Sequence, residues 1–115
     1  MNLKLEKKRN DVRRTYLDES WLLNNKRNVI NLGSGGIKHE VAKLITCLKL
    51  REEGKEFYTE ARMKGGGIAD IFVLDDTEII EILSSETNEM LSEKIKKYPS
   101  IFITKLNADE VLNEI

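Results

Sequence analysis

Cysteine, proline, tryptophan and histidine each occur once in this 115-residue chain, and aromatic residues make up only 6% of it. Each scarcity excludes something. A single Cys47 cannot close an internal disulfide, and with His39 as the one histidine a Cys/His zinc site within one chain is ruled out. Any bound metal is therefore expected on oxygen donors. No apolar run approaches the ~20 residues of a membrane span, and the N-terminus is charged where a signal peptide is apolar, so an intracellular (cytoplasmic) protein with no membrane contact is expected. A chain of this size buries roughly two thirds of its unfolded surface, enough for one core, which excludes a multidomain enzyme but not a compact one.

Charge, by contrast, is abundant: 34% of residues are ionic, 19 Lys+Arg against 20 Asp+Glu. It is unevenly placed. Residues 1–30 hold eight Lys/Arg against four Asp/Glu, and the remainder eleven against sixteen. A basic segment on an acidic body suits a polyanionic partner, because Lys/Arg beside phosphates release condensed counterions, although basic arms are as often simply solvated. DNA is the expected partner. Lys4, Lys7, Lys8, Arg9, Arg13 and Arg14, with Lys38 and Lys64 further along, are the expected contacts.

Residues 1–36 show little periodicity beyond a helix over 3–17, and they close with Gly33-Ser34-Gly35-Gly36. This reads as a basic N-terminal arm and Gly-rich linker before a domain spanning 37–115. Ile37, Val41, Leu44, Ile45 and Leu48 recur at helical spacing up to Glu53, with Gly54 as the stop, and are the expected core face of that helix. Glu56–Arg62, Ile68–Leu74 and Glu78–Leu83 read as strands, joined by a loose Gly65-Gly66-Gly67 connection and an Asp75-Asp76-Thr77 turn. Ser85 caps a second helix that turns Leu91, Ile95 and Tyr98 to the sheet and ends at Pro99. Ile101–Thr104 is a fourth strand, and Asn107 opens a short last helix with Val111, Leu112 and Ile115 as its apolar face. The body is thus an α/β domain of order α-β-β-β-α-β-α.

Two carboxylates fall inside strands, where a charge costs several kcal/mol unless something offsets it. Asp70 interrupts Ile68-Ala69-Asp70-Ile71-Phe72-Val73, and Glu81 interrupts Ile79-Ile80-Glu81-Ile82-Leu83. If these strands pair antiparallel through the turn between them, the two become neighbours on one face, and two carboxylates that close repel unless a cation lies between them. Mg²⁺ or Mn²⁺ suits such a pair, since hard cations take oxygen ligands and keep several waters. A strand edge or a salt bridge to Arg62 or Lys64 would account for either carboxylate, less easily for both. Glu40, roughly 40° around the helix from Leu44, borders the apolar stripe and is a candidate outer ligand, although the helix dipole also favours acid in a first turn. His39 lies opposite the stripe and is expected in solvent; Cys47 is expected in the core.

These residues resemble the PD-(D/E)XK nuclease superfamily, which includes restriction endonucleases and the archaeal Holliday-junction resolvases. The resemblance spans about residues 36–105: Glu40 matches the helix glutamate, Gly67-Ile68-Ala69-Asp70 the strand aspartate with its glycine, and Glu81-Ile82-Leu83 the E-x-K. It implies a restriction-endonuclease-like core, α-β-β-β-α-β, with a mixed sheet flanked by helices. It also implies a small Mg²⁺-dependent DNA endonuclease in which Asp70, Glu81 and Glu40 hold the metal, and water is the nucleophile. The chain departs from the family at Leu83, which stands where the lysine belongs. Lys94, on the sheet-facing side of the second helix, is the candidate replacement, its alternative being a stem that covers apolar surface with its head in water. A homodimer would bring two such sites to the two strands of a duplex. A module on the same fold that binds nucleic acid or protein without catalysis is the competing expectation.

Overall fold

A computed structural model describes residues 2–84 and 88–115. Its elements are α1 (Leu3–Tyr16), α2 (Glu19–Leu22), α3 (Ile37–Glu52), β1 (Phe57–Arg62), β2 (Ile68–Val73), β3 (Glu78–Leu83), α4 (Asn88–Ile95), β4 (Phe102–Asn107) and α5 (Ala108–Leu112). The strands form one mixed sheet in the order β1-β2-β3-β4. The first three are antiparallel; β4, reached through the α4 crossover, lies parallel to β3.

The sheet is covered on both faces, which is why its middle strands read as nearly continuous apolar runs. On one face Ala42, Cys47 and Leu50 of α3, with Ala108 and Val111 of α5, pack on Phe57, Ile71, Val73, Ile80 and Ile82. On the other, Leu17, Tyr98 and the half-buried Val12, Tyr16, Trp21 and Ile95 pack on Tyr58, Phe72, Leu74 and Ile79.

Side chains of the N-terminal segment, Val12, Tyr16, Leu17, Trp21 and Leu22, join the second of these clusters. Leu17 is fully buried and bridges Met63, and α1 is clamped to the β2–β3 turn by Arg9, whose buried guanidinium meets Asp75 at 2.8 Å, Glu6 at 2.9 Å and the Gly54 carbonyl at 3.0 Å. The Arg9 guanidinium is thus engaged within the protein, where the charge run suggests an exposed side chain.

The glycines of the β1–β2 connection answer to close packing. A Cβ on Gly65 would lie 2.3 Å from the Lys97 carbonyl oxygen, and one on Gly67 would lie 2.5 Å from the Tyr98 ring. The expected cap at Ser85 lies outside the described residues. Leu91 and Tyr98 are buried and Ile95 is half-buried, as their spacing predicts. β4 runs three residues beyond Thr104, because Asn107 pairs with Leu83 and its Oδ1 also accepts the Glu110 N–H, capping α5.

Helix α3 is turned inside out relative to its pattern. Its buried residues are His39, Ala42, Lys43, Thr46, Cys47 and Leu50. Of the stripe expected in the core, Ile37 is 85% exposed, Val41 38%, Leu44 39% and Leu48 44%, and Ile45 is half-buried. Small Ala42, Thr46 and Cys47 let the helix approach the sheet closely, while His39 and Lys43 find buried ionic partners there. Satisfying those groups decides the rotation of the helix over its aliphatic stripe.

Candidate active site

Strands β2 and β3 pair from Val73↔Glu78 to Ile71↔Ile80. Asp70 and Glu81 would be the next partners, and there the ladder gives way to side chains. The Asp70 N–H donates to Glu81 Oε2 at 3.1 Å, and the Ile82 N–H donates to Asp70 Oδ2 at 2.8 Å. Each carboxylate thus holds a backbone donor of the opposite strand, which fixes both where the ladder ends.

Glu81 is 1% exposed. Its Oε1 accepts from the Tyr98 hydroxyl and lies 3.0 Å from Lys94 Nζ. Burial, followed by the charge of Asp70, pushes this carboxyl up to about 7, with Tyr98 and Lys94 opposing the rise. The Tyr98 hydroxyl also reaches the Ile68 carbonyl at 2.9 Å. One hydroxyl proton cannot serve both acceptors fully, so Tyr98 can donate to an ionised Glu81, or accept from a protonated one and donate to Ile68. Burial and the adjoining Glu81 raise the Tyr98 phenol above its ordinary value.

His39, expected in solvent, is 5% exposed, and its ring stands between two carboxylates. Nε2 lies 3.2 Å from Asp70 Oδ2, and Nδ1 is bonded to Glu40 Oε2. Burial disfavours the imidazolium, but the bond to Glu40 and the charge of Asp70 outweigh it and raise its pKa. Glu40 therefore reaches Asp70 through an imidazole. Its other oxygen is occupied as well: Oε1 accepts from Lys43 Nζ at 2.8 Å and from the Gly33 N–H. These donors overcome burial and pull Glu40 down to about 2.

Two further residues complete this network. Lys43 is fully buried, its ammonium held 2.8 Å from Glu40 and 2.8 Å from Glu60; the two carboxylates overcome the effect of burial and raise its pKa. Glu60 sits in β1 opposite Asp70 with a φ of 48°, a left-handed conformation that non-glycine residues seldom adopt within a strand. Simple alternation from Tyr58 would send Glu60 toward α1 and α2; the positive φ turns it to Lys43 on α3. A Cβ on Gly33 would lie 2.2 Å from Glu60 Oε1, so the glycine before α3 makes room for this contact. The spacing His39-Glu40-x-x-Lys43, three ionisable groups within one turn of the buried face, is the signal that could have exposed the network.

A cavity of about 600 Å³ opens over the site, lined by Ser34, Gly35, His39, Glu60, Asp70, Lys94 and Lys97, among others. Lys97, unremarked in the sequence, thus adds a second ammonium beside Lys94. Of the expected nucleic-acid contacts, Lys4, Lys7 and Arg14 are exposed, Lys8 donates to the Asp75 carbonyl at 2.7 Å, and Arg13 is half-buried. Lys38 pairs with Asp109 at 3.2 Å, and Lys64 donates to the Arg14 carbonyl at 2.5 Å. Only Lys64 adjoins the site, through a second hollow that also holds Lys97.

Among the described residues no group of three or more His, Cys, Asp or Glu side chains is arranged to hold a metal. A closed protein cage is thereby lacking among them, but Mg²⁺ is ordinarily held by one or two carboxylates with water completing the shell. The Asp70–Glu81 pair, whose Glu81 carboxyl is raised first by burial and then by the charge of Asp70, is a donor set of that kind. No helix of the described residues is long and apolar enough to cross a membrane. Comparisons with protein-family models, with curated proteins and with solved structures return no match.

Proposed function

We propose that this protein is a small divalent-metal-dependent nuclease of the PD-(D/E)XK kind, hydrolysing phosphodiester bonds of DNA at the cavity above Asp70. The observation that carries the reading is the pair of strand carboxylates, Asp70 and Glu81, locked by each other's strand and backed by Lys94. Asp70 and Glu81 would hold a Mg²⁺ or Mn²⁺ ion, which supplies Lewis acidity and a water of lowered pKa when bound. Around it this chain's own residues have separable tasks. Tyr98 and the Asp70 N–H orient the Glu81 carboxylate. His39, steadied by Glu40, orients Asp70. Lys94 lies 3.0 Å from Glu81, on the cavity, and supplies the positive charge that Leu83 cannot. Lys97 and Lys64 extend that charge away from the site along a path suited to a phosphate backbone.

Leu83 at the family's lysine position favours a second reading, a nuclease-like module that binds nucleic acid without cutting it. One assay separates the two: incubation with single-stranded, duplex and four-way-junction DNA under Mg²⁺, Mn²⁺ or chelator. Cleavage abolished by chelator supports the nuclease. Metal-independent binding with no cleavage of any substrate supports the module.

A further inference from the structure

The outer face of α3 is apolar and uncovered. Ile37, Val41, Leu44 and Leu48 follow the 4-3-4 spacing of a coiled-coil seam, all lie in solvent to 38% or more, and Leu32, 76% exposed, extends the patch. A depression of about 450 Å³ between Leu32, Ile37, Val41 and Leu44 adjoins the stripe. Contiguous apolar surface on this scale is what interaction faces have, and scattered exposed aliphatics do not. The charges beside the stripe say what covers it. Lys38, whose exposed ammonium also pairs with Asp109, and Glu52 lie on one flank, at opposite ends of the helix and equally far in sequence from Ile45, which is on the same flank. A two-fold axis perpendicular to the helix keeps each flank on its own side and reverses direction, so Lys38 meets the partner's Glu52 and Glu52 the partner's Lys38. A parallel pairing, with the two-fold axis along the helices, would set each flank against the partner's other flank and leave Lys38 and Glu52 without each other.

We infer that a second copy of this chain covers α3, in an antiparallel two-fold helix pair centred near Leu44 and Ile45. In that register Val41 faces the partner's Leu48, beside the depression. The pairing is independent of the catalytic reading, because α3 turns His39, Glu40 and Lys43 inward and these four aliphatics outward.

Sedimentation of the full chain over a range of concentrations tests it. The wild type is expected as a dimer. Leu44→Glu, at an exposed position that does not endanger the fold, is expected to weaken the dimer by about a hundredfold or more, since the two-fold axis places the new charge in the seam twice. Lys38→Glu is expected to weaken it, and Lys38→Glu combined with Glu52→Lys to restore it. A monomer at every concentration overturns the proposal, as does a dimer indifferent to Leu44→Glu. A dimer that Leu44→Glu disrupts but the double charge exchange fails to rescue overturns the antiparallel register.

Discussion

Asp70 and Glu81 each accept a backbone N–H from the strand that carries the other, at 2.8 and 3.1 Å. This reciprocal lock holds two carboxylates together at the end of a strand ladder.

The first consequence is a pH dependence. Glu81, raised to about 7 against an ordinary 4.5, stays protonated in the folded cation-free protein over pH values at which the unfolded chain has already lost that proton. Its contribution to stability therefore falls as pH rises between those two values. His39 acts in the same sense, its raised pKa giving stability that is complete below 6.5 and lost as pH climbs through the folded value. Thermal melts of the cation-free protein should thus decline from pH 6 to pH 8, with Mg²⁺ raising the midpoint more at pH 8 than at pH 6. A Mg²⁺ effect that is larger at pH 6 would contradict this.

Lys94 lies 3.0 Å from Glu81 and helps to lower its pKa. Lys94→Met should reduce cleavage by about 10²-fold or more, on the scale of losing one electrostatic donor to the transition state. It should also move the rising limb of the pH–rate profile to higher pH. A loss of rate with an unmoved profile would separate Lys94 from Glu81.

Glu60 is held at a φ of 48° within β1. For a side chain other than glycine that conformation costs roughly 1–2 kcal/mol. Both Glu60→Gly and Glu60→Ala remove the partner of Lys43, so comparing them isolates the backbone. The glycine variant should be the more stable by about 1 kcal/mol in denaturant unfolding. An alanine variant as stable as the glycine variant would mean that Glu60 is not strained.

Arg9 shows how a charge run misleads. Its guanidinium is buried against Asp75, so Arg9→Met should destabilise the fold by roughly 2 kcal/mol, because the half-buried Asp75 loses its cation and is left with the Glu56 N–H. Where the variant remains folded, DNA affinity should stay close to that of the wild type. A selective loss of affinity would return Arg9 to the binding surface.

The order of elements from Ile37 onward was legible in the sequence because each strand and helix there has its own periodicity and stop signals. Asp70 and Glu81 stood out because charge within an apolar strand demands an explanation. The orientation of α3 was not legible: hydrophobic spacing records which residues are apolar, not which face meets the sheet, and a fully buried Lys43 with two carboxylate partners reverses the ordinary rule. His39, Lys43 and Glu60 were hidden for the same reason, since their partners come from α3, β1 and β2, which only the fold brings together. Nor could composition separate Arg9 from Lys4 and Lys7, which share its charge but not its burial.

The most direct test of the account is calorimetric titration of Mn²⁺ into the wild type and into Asp70→Asn at pH 8, where Glu81 is ionised. Binding by the wild type is expected, weakened at least about tenfold in Asp70→Asn, because one of two anionic ligands has become neutral. Mn²⁺ uptake that is absent from the wild type, or equal in both proteins, would contradict it.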